Sequence, residues 1–545
     1  MQVVGAFVLL AFALAGPAAL AAEQPQVPRT GAEGVGPHVL TLVDGRQTRG
    51  EVLFKHPNVE RLIVRSGANR TVQSFPLSLL HTVTIDGETE TYNPRRELTE
   101  AEKTTLERDG IWGDETGPDQ VGRYATEEWE TRPLAVWRHP GTSGDVWDSA
   151  NWLDENGEPF AEGGPFFLLP ADQRKGGDDT GIDRRFDGDV LLPAADTRYD
   201  VIQPGNPDAY GAGAPVASEM RHLTVEAGAQ TRVRMVIRGN IWMKNDSMIH
   251  AWVTMVLGSG DMNKHTFNRY CNYWYLPEPY WPYASIIGHL LFVDAGPTGS
   301  LEVIGYSGGA ADRFDLISGT LVMSKDSYMG CGGRSSYTSA RGTTTVMLDD
   351  ARLGNSSPIK SDQQNASYAI GGTLMFGTPE RPLTRDLLFG GTWYKEEWIN
   401  PDRAEAHNRT RGASFVLGEH GRMVIHSADP TTARVVFRGW PKDQGGGGLP
   451  GNLRQFRRET NVDWDQRISL PPDPAMWESP DAPDGVAAVF LGETDFNGVV
   501  FDNFLKGGLV VRPGAPRRWR NVSFGENNHD APEELIRYWE KVDDD

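Results

Sequence analysis

The chain of 545 residues contains only two cysteines, Cys271 and Cys331, and has no long apolar run after its first two dozen residues. Disulfides therefore cannot be its main source of stability, although two cysteines in an exported protein can pair. Pairing of Cys271 with Cys331 and burial of both as small apolar side chains are the two alternatives. The shortage of apolar runs excludes a bundle of membrane-spanning helices, because each needs about 20 apolar residues.

Basic residues are also few, since 53 Lys and Arg stand against 74 Asp and Glu, which gives a formal net charge of -21. This balance argues against general binding to nucleic acid or to an anionic membrane, because both partners require a basic face. A polyanionic ligand would have to meet a local basic patch within an acidic surface. We expect no nucleic-acid partner and no membrane insertion.

The first residues, MQVVGAFVLLAFALAGPAALAAEQ, form an apolar run that ends in small residues. This pattern is typical of a secretory signal peptide cleaved near Ala21 or Ala22, and we assign residues 1–22 to it. A transmembrane helix is the alternative, but Gly16 and Pro17 interrupt the run before it can span a bilayer. We expect a secreted or periplasmic protein.

Long amphipathic helices are scarce, whereas glycine is abundant at 62 of 545 residues. The average share of glycine is about 7%, so the excess favours a turn-rich, all-β chain. Between His38 and Gly87, short alternating stretches are separated by turn signals such as Asp44-Gly45. They predict a small five-stranded barrel over residues 36–92.

Two short helices are predicted outside the β regions. Thr99 and Glu102 have the spacing of a capping box, and Gly110 is placed to end the first helix. This helix and a polar linker occupy residues 93–135. The second helix is predicted at the C-terminus, over residues 531–545, in DAPEELIRYWEKV.

A recurring phrase marks the region 136–530. Its copies begin with a glycine beside a small or basic residue, continue as a short β-rich stretch and end in a polar turn: RGNIWMKNDSMI, SGTLVMSKDSYM, GGTLMFGTPE and RGASFVLGEHGRMVI. Their irregular spacing indicates coils with insertions of different lengths. We predict a right-handed parallel β-helix, in which inward apolar side chains alternate with outward ones. Two β-sandwiches made from the same strands are the alternative.

The most aromatic insertion is GDMNKHTFNRYCNYWYLPEPYWPY, from Gly260 to Tyr283. Its prolines prevent a long regular element. Sugar rings stack on Trp and Tyr through their apolar faces, while polar groups bind their hydroxyls. We predict a polysaccharide cleft lined by Tyr273, Trp274, Tyr280 and Trp281. The alternative is a small packed core that fixes the loop.

Three acidic residues near this insertion are candidates for catalysis. Hydrolysis of a glycosidic bond needs an acid for the leaving oxygen and a second carboxylate as base or nucleophile. Asp261 opens the insertion, Asp312 lies at an expected turn before a strand, and Glu302 is flanked by Leu301 and Val303. Those two neighbours should point inward and leave Glu302 on the outer side. We expect the three carboxylates to share one face; for each, an ordinary surface acid is the alternative.

Several cations near the insertion suit the sulfate or carboxylate groups of an acidic glycan. They are Lys264, His265, Arg269, His289, Arg313, Arg334 and Arg341. His265 and His289 are alternatively metal ligands, but no close His or Cys spacing indicates a zinc site. No metal or cofactor is predicted, because the chain has no phosphate-binding loop, dinucleotide fingerprint or Gly-x-Ser-x-Gly elbow.

Two family resemblances complete the sequence reading. The run DGRQTRGEVL, VERLIVRSG and FPLSLL resembles the Sla-homology, SH3-type modules of exported bacterial proteins, which implies an accessory module. NKHTFNRYCNYW, IIGHLLFVD, SLEVIG, SGTLVM, RPLTRD and VIHSADPTTARVVFRGW resemble exported β-helix proteins of marine bacterial polysaccharide degradation and the endo-α-1,3-L-fucanases of glycoside hydrolase family 174. This second resemblance, over residues 136–530, implies a β-helix that hydrolyses sulfated fucan within the chain. The acidic composition departs from what a polyanion-binding protein needs, and no catalytic residue of that family can be assigned here.

The function expected from the sequence is therefore that of a secreted glycoside hydrolase acting on an acidic, sulfated polysaccharide. A polysaccharide lyase on the same fold is one alternative, with Lys264, His265 or Arg269 near a uronic acid as its base. A glycan-binding surface protein without catalysis is the other.

Overall fold

The computed structural model describes residues 37–66, 71–108, 133–170, 182–204, 217–244, 246–256, 260–262, 285–297, 299–304, 308–324, 327–331, 336–348, 351–355, 366–389, 413–438 and 488–538. They are mostly β-strands, so the predicted all-β class is confirmed. No helix among them is long and apolar enough to cross a bilayer. The predicted signal peptide lies outside the described residues.

The N-terminal module is a six-stranded antiparallel sheet in the order β4-β3-β2-β1-β5-β6. Its strands are β1 (His38–Leu42), β2 (Gln47–Lys55), β3 (Arg61–Ser66), β4 (Thr71–Pro76), β5 (Leu80–Ile85) and β6 (Glu88–Thr91). A 3₁₀ turn, Leu77–Leu79, joins β4 to β5. Within the described residues the two edge strands do not pair with each other, so the sheet is open rather than a closed barrel.

Helix α1 (Glu100–Arg108) follows the module, and its predicted capping box is confirmed. The Thr99 backbone N–H donates to Glu102 Oε2 over 2.9 Å, and the Glu102 N–H donates to Thr99 Oγ1 over 3.3 Å. A hydrogen bond from Arg96, together with those from Thr99, lowers the pKa of Glu102 to about 2. Gly110, the predicted stop, lies outside the described residues.

The remaining strands extend from residue 134 to residue 538. They are β7 (Leu134–Trp137), β8 (Gly144–Asp145), β9 (Trp152–Leu153), β10 (Phe167–Leu168), β11 (Ile182–Leu192), β12 (Tyr199–Ile202), β13 (Ala217–Val225), β14 (Ala229–Arg232), β15 (Met235–Ile237), β16 (Ile241–Met243), β17 (Met248–Val256), β18 (Gly260–Met262), β19 (Ser285–Asp294), β20 (Ser300–Ile304), β21 (Gly308–Ser318), β22 (Thr320–Ser324), β23 (Tyr328–Cys331), β24 (Ser336–Ser339), β25 (Thr344–Met347), β26 (Arg352–Asn355), β27 (Ala366–Ile370), β28 (Thr373–Phe376), β29 (Leu387–Phe389), β30 (Ala413–Leu417), β31 (Arg422–Ile425), β32 (Val435–Arg438), β33 (Ala488–Phe490), β34 (Glu493–Asp502), β35 (Leu509–Val511), β36 (Arg517–Phe524) and β37 (Ile536–Tyr538).

These strands form three ladders, each a series of parallel strands paired with the next. The first ladder contains β8, β12, β14, β17, β19, β21, β23 and β26, and then β29, β32, β34 and β36. The second contains β11, β13, β15, β17, β19, β21, β24, β27, β30, β33, β35 and β37. The third contains β7, β11, β13, β16, β18, β20, β22, β25, β28, β31, β34 and β36.

From β12 onward the chain enters the first, second and third ladders in rotation. The longer strands serve two ladders because they bend: the first halves of β17, β19 and β21 pair in the first ladder and their second halves in the second. β-Sandwiches are built from antiparallel sheets. The parallel pairings therefore exclude the alternative of two sandwiches for the described strands.

One apolar core runs between the ladders, from Ala135 in β7 to Leu535 near the C-terminus. Alternate residues of each strand enter it, as Leu301 and Val303 do in β20. Its later part is aromatic: Phe389 and Phe437, for example, pack edge-on with ring centroids 5.4 Å apart. Each such side chain stabilises the fold by about 1.5–3 kcal/mol through its burial.

The recurring phrase of the sequence has a structural basis. In three copies the β-rich stretch is β16, β22 or β28, all in the third ladder, and the glycine precedes it where the chain leaves the second ladder. The fourth copy begins with β30 in the second ladder and reaches the third only in β31. A Cβ at Gly372 would lie 2.3 Å from the carbonyl oxygen of Thr343, in the preceding turn. The turns therefore stack too closely for a side chain at this position.

The module packs on the outer side of the first strands of the third ladder. Ile63 and Val72 of the module share an apolar cluster with Leu134, Val136 and Leu191 of β7 and β11. This contact joins the predicted accessory module to the ladders through a shared apolar cluster.

A buried carboxylate completes this interface. Glu226 is fully buried and accepts hydrogen bonds from the Ser74 and Ala194 backbone N–H groups, each over 3.0 Å, and from the Ser74 hydroxyl. In addition, His56 Nε2 contacts the carbonyl oxygen of Trp137 over 3.0 Å. Polar groups at the interface are thus paired, as burial requires.

The predicted C-terminal helix over 531–545 is wrong in extent. Helix α2 (Pro532–Leu535) is a single turn, and the next residues form β37, which pairs in parallel with β35. Apolar burial decides this, because Leu535 is fully buried in the core and Ile536 packs against it. The strand system also begins at Leu134, two residues before the predicted boundary.

Candidate functional site

A column of register partners runs along the outer side of the third ladder. It passes through Trp242, Asp261, Glu302 and Val322, each paired with the next across neighbouring parallel strands. Adjacent strands lie about 4.8 Å apart. The fold therefore places two of the three predicted carboxylates, Asp261 and Glu302, at adjacent positions of one face.

Glu302 has an unusual environment for an acid in this column. It is 7% exposed, while its neighbours Leu301 and Val303 are fully buried in the core. The predicted inward position of Leu301 and Val303 is confirmed. The alternative, in which Glu302 is an ordinary surface acid, does not fit its burial. Burial on a strand restricts the carboxylate of Glu302 to a defined position, which makes it the strongest described candidate of the three.

Asp312 lies apart from this pair. It is inside β21, not at the expected turn, and the pairs Gly288 with Ala311 and Leu290 with Arg313 place His289 beside it. At these residues β19 and β21 cross from the first ladder to the second, so neither of them belongs to the third. The expectation that all three carboxylates share one face is therefore wrong for Asp312, whose neighbours are instead His289 and Arg313.

The aromatic insertion connects two ladders. It follows β18, which carries Asp261 in the third ladder, and it ends where β19 begins in the first. The predicted binding residues within it lie outside the described residues, as do Arg334 and Cys271: Lys264, His265, Arg269, Tyr273, Trp274, Tyr280 and Trp281. Arg341 is exposed in the turn between β24 and β25, and Cys331 ends β23. The predicted disulfide stays a prediction.

Sequence reasoning missed a buried carboxylate on the second ladder. Asp315 is fully buried and lies in the outer column between Phe292 and Thr338, while Phe314 and Leu316 enter the core. The signal was present, because RFDLIS alternates in the same way as SLEVIG. Because a turn was expected at Asp312, the acid three residues later was not considered.

Three further insertions occur at the same connection, between the first ladder and the second. Segments 356–365, 390–412 and 439–487 each join a strand of the first ladder to the next strand of the second. The two longer ones hold five of the 16 tryptophans: Trp393, Trp398, Trp440, Trp464 and Trp477. Their tryptophan content was the signal that sequence reasoning passed over in favour of the single richest loop.

A cluster of two arginines and a glutamate lies on the outer side of the second ladder. Arg185 Nε is 3.0 Å from Glu219 Oε1, and Arg238 donates to both oxygens of the same carboxylate. Burial acts to raise the pKa of Glu219, but the bonds from Arg238 and Arg185 outweigh it and hold that pKa below its usual value. Asp187 acts on Arg238 as a second carboxylate, so two acids balance the two arginines and this cluster is structural.

No group of three or more His, Cys, Asp or Glu side chains that could hold a metal ion occurs within the part of the chain that the structure describes. Comparison of the chain with family models, curated proteins and solved structures finds no match to any of them.

Proposed function

We propose that the protein is a right-handed parallel β-helix enzyme that hydrolyses an acidic, sulfated polysaccharide. The three ladders are its three faces, entered in rotation by successive strands. Connections between parallel strands are right-handed in about 98% of cases, which sets the hand of the coil. The antiparallel module at the N-terminus is an SH3-like domain packed on the third face.

The observation that carries the proposal is the adjacency of Asp261 and Glu302 in the register of the third ladder. Retaining glycosidases hold their two carboxyl groups about 5–5.5 Å apart. Positions on neighbouring parallel strands are separated by about 4.8 Å, which suits that spacing. Strands also hold such groups more precisely than loops do.

The roles follow from the surroundings. Glu302 is buried on a strand and acts as the acid that protonates the leaving oxygen. Asp261, next to the aromatic insertion, is the nucleophile that attacks the anomeric carbon. Water then displaces Asp261 while the Glu302 carboxylate takes its proton, which restores both groups.

The pair of His289 and Asp312 favours a second candidate function. The register places His289 and Asp312 at adjacent positions of neighbouring strands, with Arg313 next in the chain. A carboxylate can orient a histidine as a base, and an arginine can bind the carboxylate of a uronic acid. That combination would serve a lyase, which removes a proton and eliminates across the sugar ring.

A panel of sulfated and carboxylated polysaccharides, sulfated fucan first, distinguishes these functions. New reducing ends without near-ultraviolet absorbance support the hydrolase. Unsaturated products that absorb there support the lyase. If the protein binds a polysaccharide but shortens no member of the panel, both the hydrolase and the lyase are rejected and a glycan-binding protein remains.

A further inference from the structure

The last strand of the third ladder carries an unusual concentration of positive charge. β36 begins Arg517-Arg518-Trp519-Arg520 and pairs with β34, and no later strand of this ladder follows among the described residues. All three arginines are exposed. In a chain with a formal net charge of -21, this is the kind of local basic patch that a polyanionic ligand requires.

Aromatic rings hold the patch in place. The Arg517 guanidinium lies 5.8 Å from the Trp519 ring centroid and 5.6 Å from that of Tyr538. Trp519 Nε1 donates to Thr494 Oγ1 over 2.7 Å, which fixes the indole. Tyr538 is 60% exposed. Cation–π contacts of this kind orient a guanidinium without neutralising its charge.

The other two arginines are less constrained. Arg518 and Arg520 are two residues apart on a strand, so they lie on the same side about 6.8 Å from each other. Arg520 Nη2 is 3.2 Å from Asp495 Oδ1, and its side chain is still 61% exposed. Arg518 has no ion-pair partner among the described residues. The outer side of β36 therefore keeps one net positive charge, from these two arginines and Asp495. Arg517 and Trp519 lie on the opposite side of the strand, where Trp519 stacks on the buried Phe496.

We propose that a binding subsite for the sulfate or carboxylate groups of an acidic polysaccharide lies around the free edge of β36, with Arg518 and Arg520 on its outer side and Arg517 and Tyr538 on the other side. The inference rests on the substrate class of the proposed function. Guanidinium groups bind planar or tetrahedral anions through paired hydrogen bonds, and exposed rings stack on sugars. The subsite anchors the polymer away from Asp261 and Glu302, at the C-terminal end of the ladders.

A nucleic acid is the less suitable polyanion. Its binding needs a basic stripe that neutralises many successive phosphates. Together β36 and β37 offer three cations and one exposed ring, that of Tyr538, enough for one or two charged sugars. A purely structural role, in which the charges keep the last strand from pairing with other molecules, predicts no specific ligand.

The test is the affinity of the full chain for sulfated fucan, measured by calorimetry at two salt concentrations. Replacement of both Arg518→Glu and Arg520→Glu should weaken binding at least ~10-fold and flatten its salt dependence, because charge-assisted hydrogen bonds are lost. A matched control carries Arg49→Glu and Arg385→Glu, two exposed arginines elsewhere. It makes the same change in net charge and should bind like the parent.

Several outcomes would overturn the subsite. Equal weakening in both double variants would mean that only net charge matters. Equal affinity for single-stranded DNA and fucan would reject a glycan site. If fucan bound only to a chain shortened to end at Tyr538, the arginines of the full chain would pair with the acidic residues that follow and not with a glycan. Loss of binding in the Arg518/Arg520 variant without any cleavage of fucan by the parent supports the subsite while rejecting the hydrolase, so the two proposals fail separately.

Discussion

At the scale of single residues, Glu226 is a buried polar link between the module and the ladders. Its carboxylate accepts three hydrogen bonds from Ser74 and Ala194 in a fully buried position. Glu226→Ala would leave those donors without an acceptor, and we expect the free energy of unfolding to fall by about 3–5 kcal/mol. Denaturant titration followed by tryptophan fluorescence measures it.

The exposed Glu155 provides the control for that substitution. Glu155→Ala should change the free energy of unfolding by less than about 0.5 kcal/mol. If Glu226→Ala is equally mild, the interface does not depend on the buried carboxylate.

His56 should make the interface sensitive to acid. Its Nδ1 accepts from the Asn58 N–H over 3.2 Å and its Nε2 contacts the Trp137 carbonyl, an arrangement that fits the neutral ring with the proton on Nε2. Burial lowers the pKa of His56 below its ordinary 6.5. The unfolded chain therefore binds the proton more readily, and the free energy of unfolding should fall as the pH drops below about 6.5.

Replacement of this histidine isolates its contribution. His56→Gln should have a flatter profile of unfolding free energy than the parent between pH 7 and 5, because no ring remains to be protonated. Identical slopes in the two proteins would show that other groups, His139 among them, cause the acid sensitivity.

The catalytic assignment is also a matter of single residues. Asp261→Asn and Glu302→Gln keep the shape of each side chain but remove its acid–base or nucleophilic function. Turnover of a confirmed substrate should fall by about 10²–10⁴-fold, with polymer affinity retained. Asp312→Asn, on another face, should leave turnover nearly unchanged. The reverse pattern, with Asp312 essential and Asp261 dispensable, would favour the lyase site.

At the scale of elements, the turns that enter the third ladder depend on glycine. Gly319 has φ of +85°, and a Cβ there would lie 2.6 Å from the Gly299 carbonyl oxygen. Gly342 has nearly the same φ, +84°, with nothing within 4 Å. Gly342→Ala should cost about 1–2 kcal/mol through φ alone, and Gly319→Ala clearly more, because the backbone must also shift.

Unfolding midpoints of the two alanine variants measure this difference directly. Equal midpoints would mean that close stacking of the turns adds nothing beyond the strained backbone dihedral. The parent chain and an alanine variant at an exposed strand position give the reference midpoints for this comparison.

These elements also show how far the sequence could be interpreted. The alternation around Leu301 and Val303 and the capping box at Thr99 were predictable, because each depends on residues close in the chain. The end of the chain was not: Ile536–Tyr538 reads as helix locally, but pairing with Leu509–Val511 makes it a strand. Tertiary contacts override local propensity there.

At the scale of the whole molecule, the ladder order was beyond sequence reasoning. Asp261 and Glu302 are 41 residues apart and become neighbours only through the register of β18 and β20. Asp312 is closer to Glu302 in the chain and yet lies elsewhere, because the strand carrying it bends into the second ladder. Insertions of unequal length conceal which residues stack, so the sequence predicted one face for all three carboxylates and only the structure separates Asp312 from the pair.

The module and the ladders should unfold together. The apolar cluster around Ile63, Leu134 and Leu191 joins them, and Glu226 adds polar contacts. Calorimetry of the chain should give one transition, and removal of residues 37–92 should lower the melting temperature of the rest by exposing that cluster. Two separate transitions, one unchanged by the deletion, would show an independent accessory domain.

Hydrolysis by Asp261 and Glu302 can be followed in a single time course. Sulfated fucan is incubated with the parent chain and with Glu302→Gln, and new reducing ends are followed with time. We expect steady release by the parent, without unsaturated products, and a rate at least ~100-fold lower in the variant. Equal rates in the two proteins would show that Glu302 is not the catalytic acid.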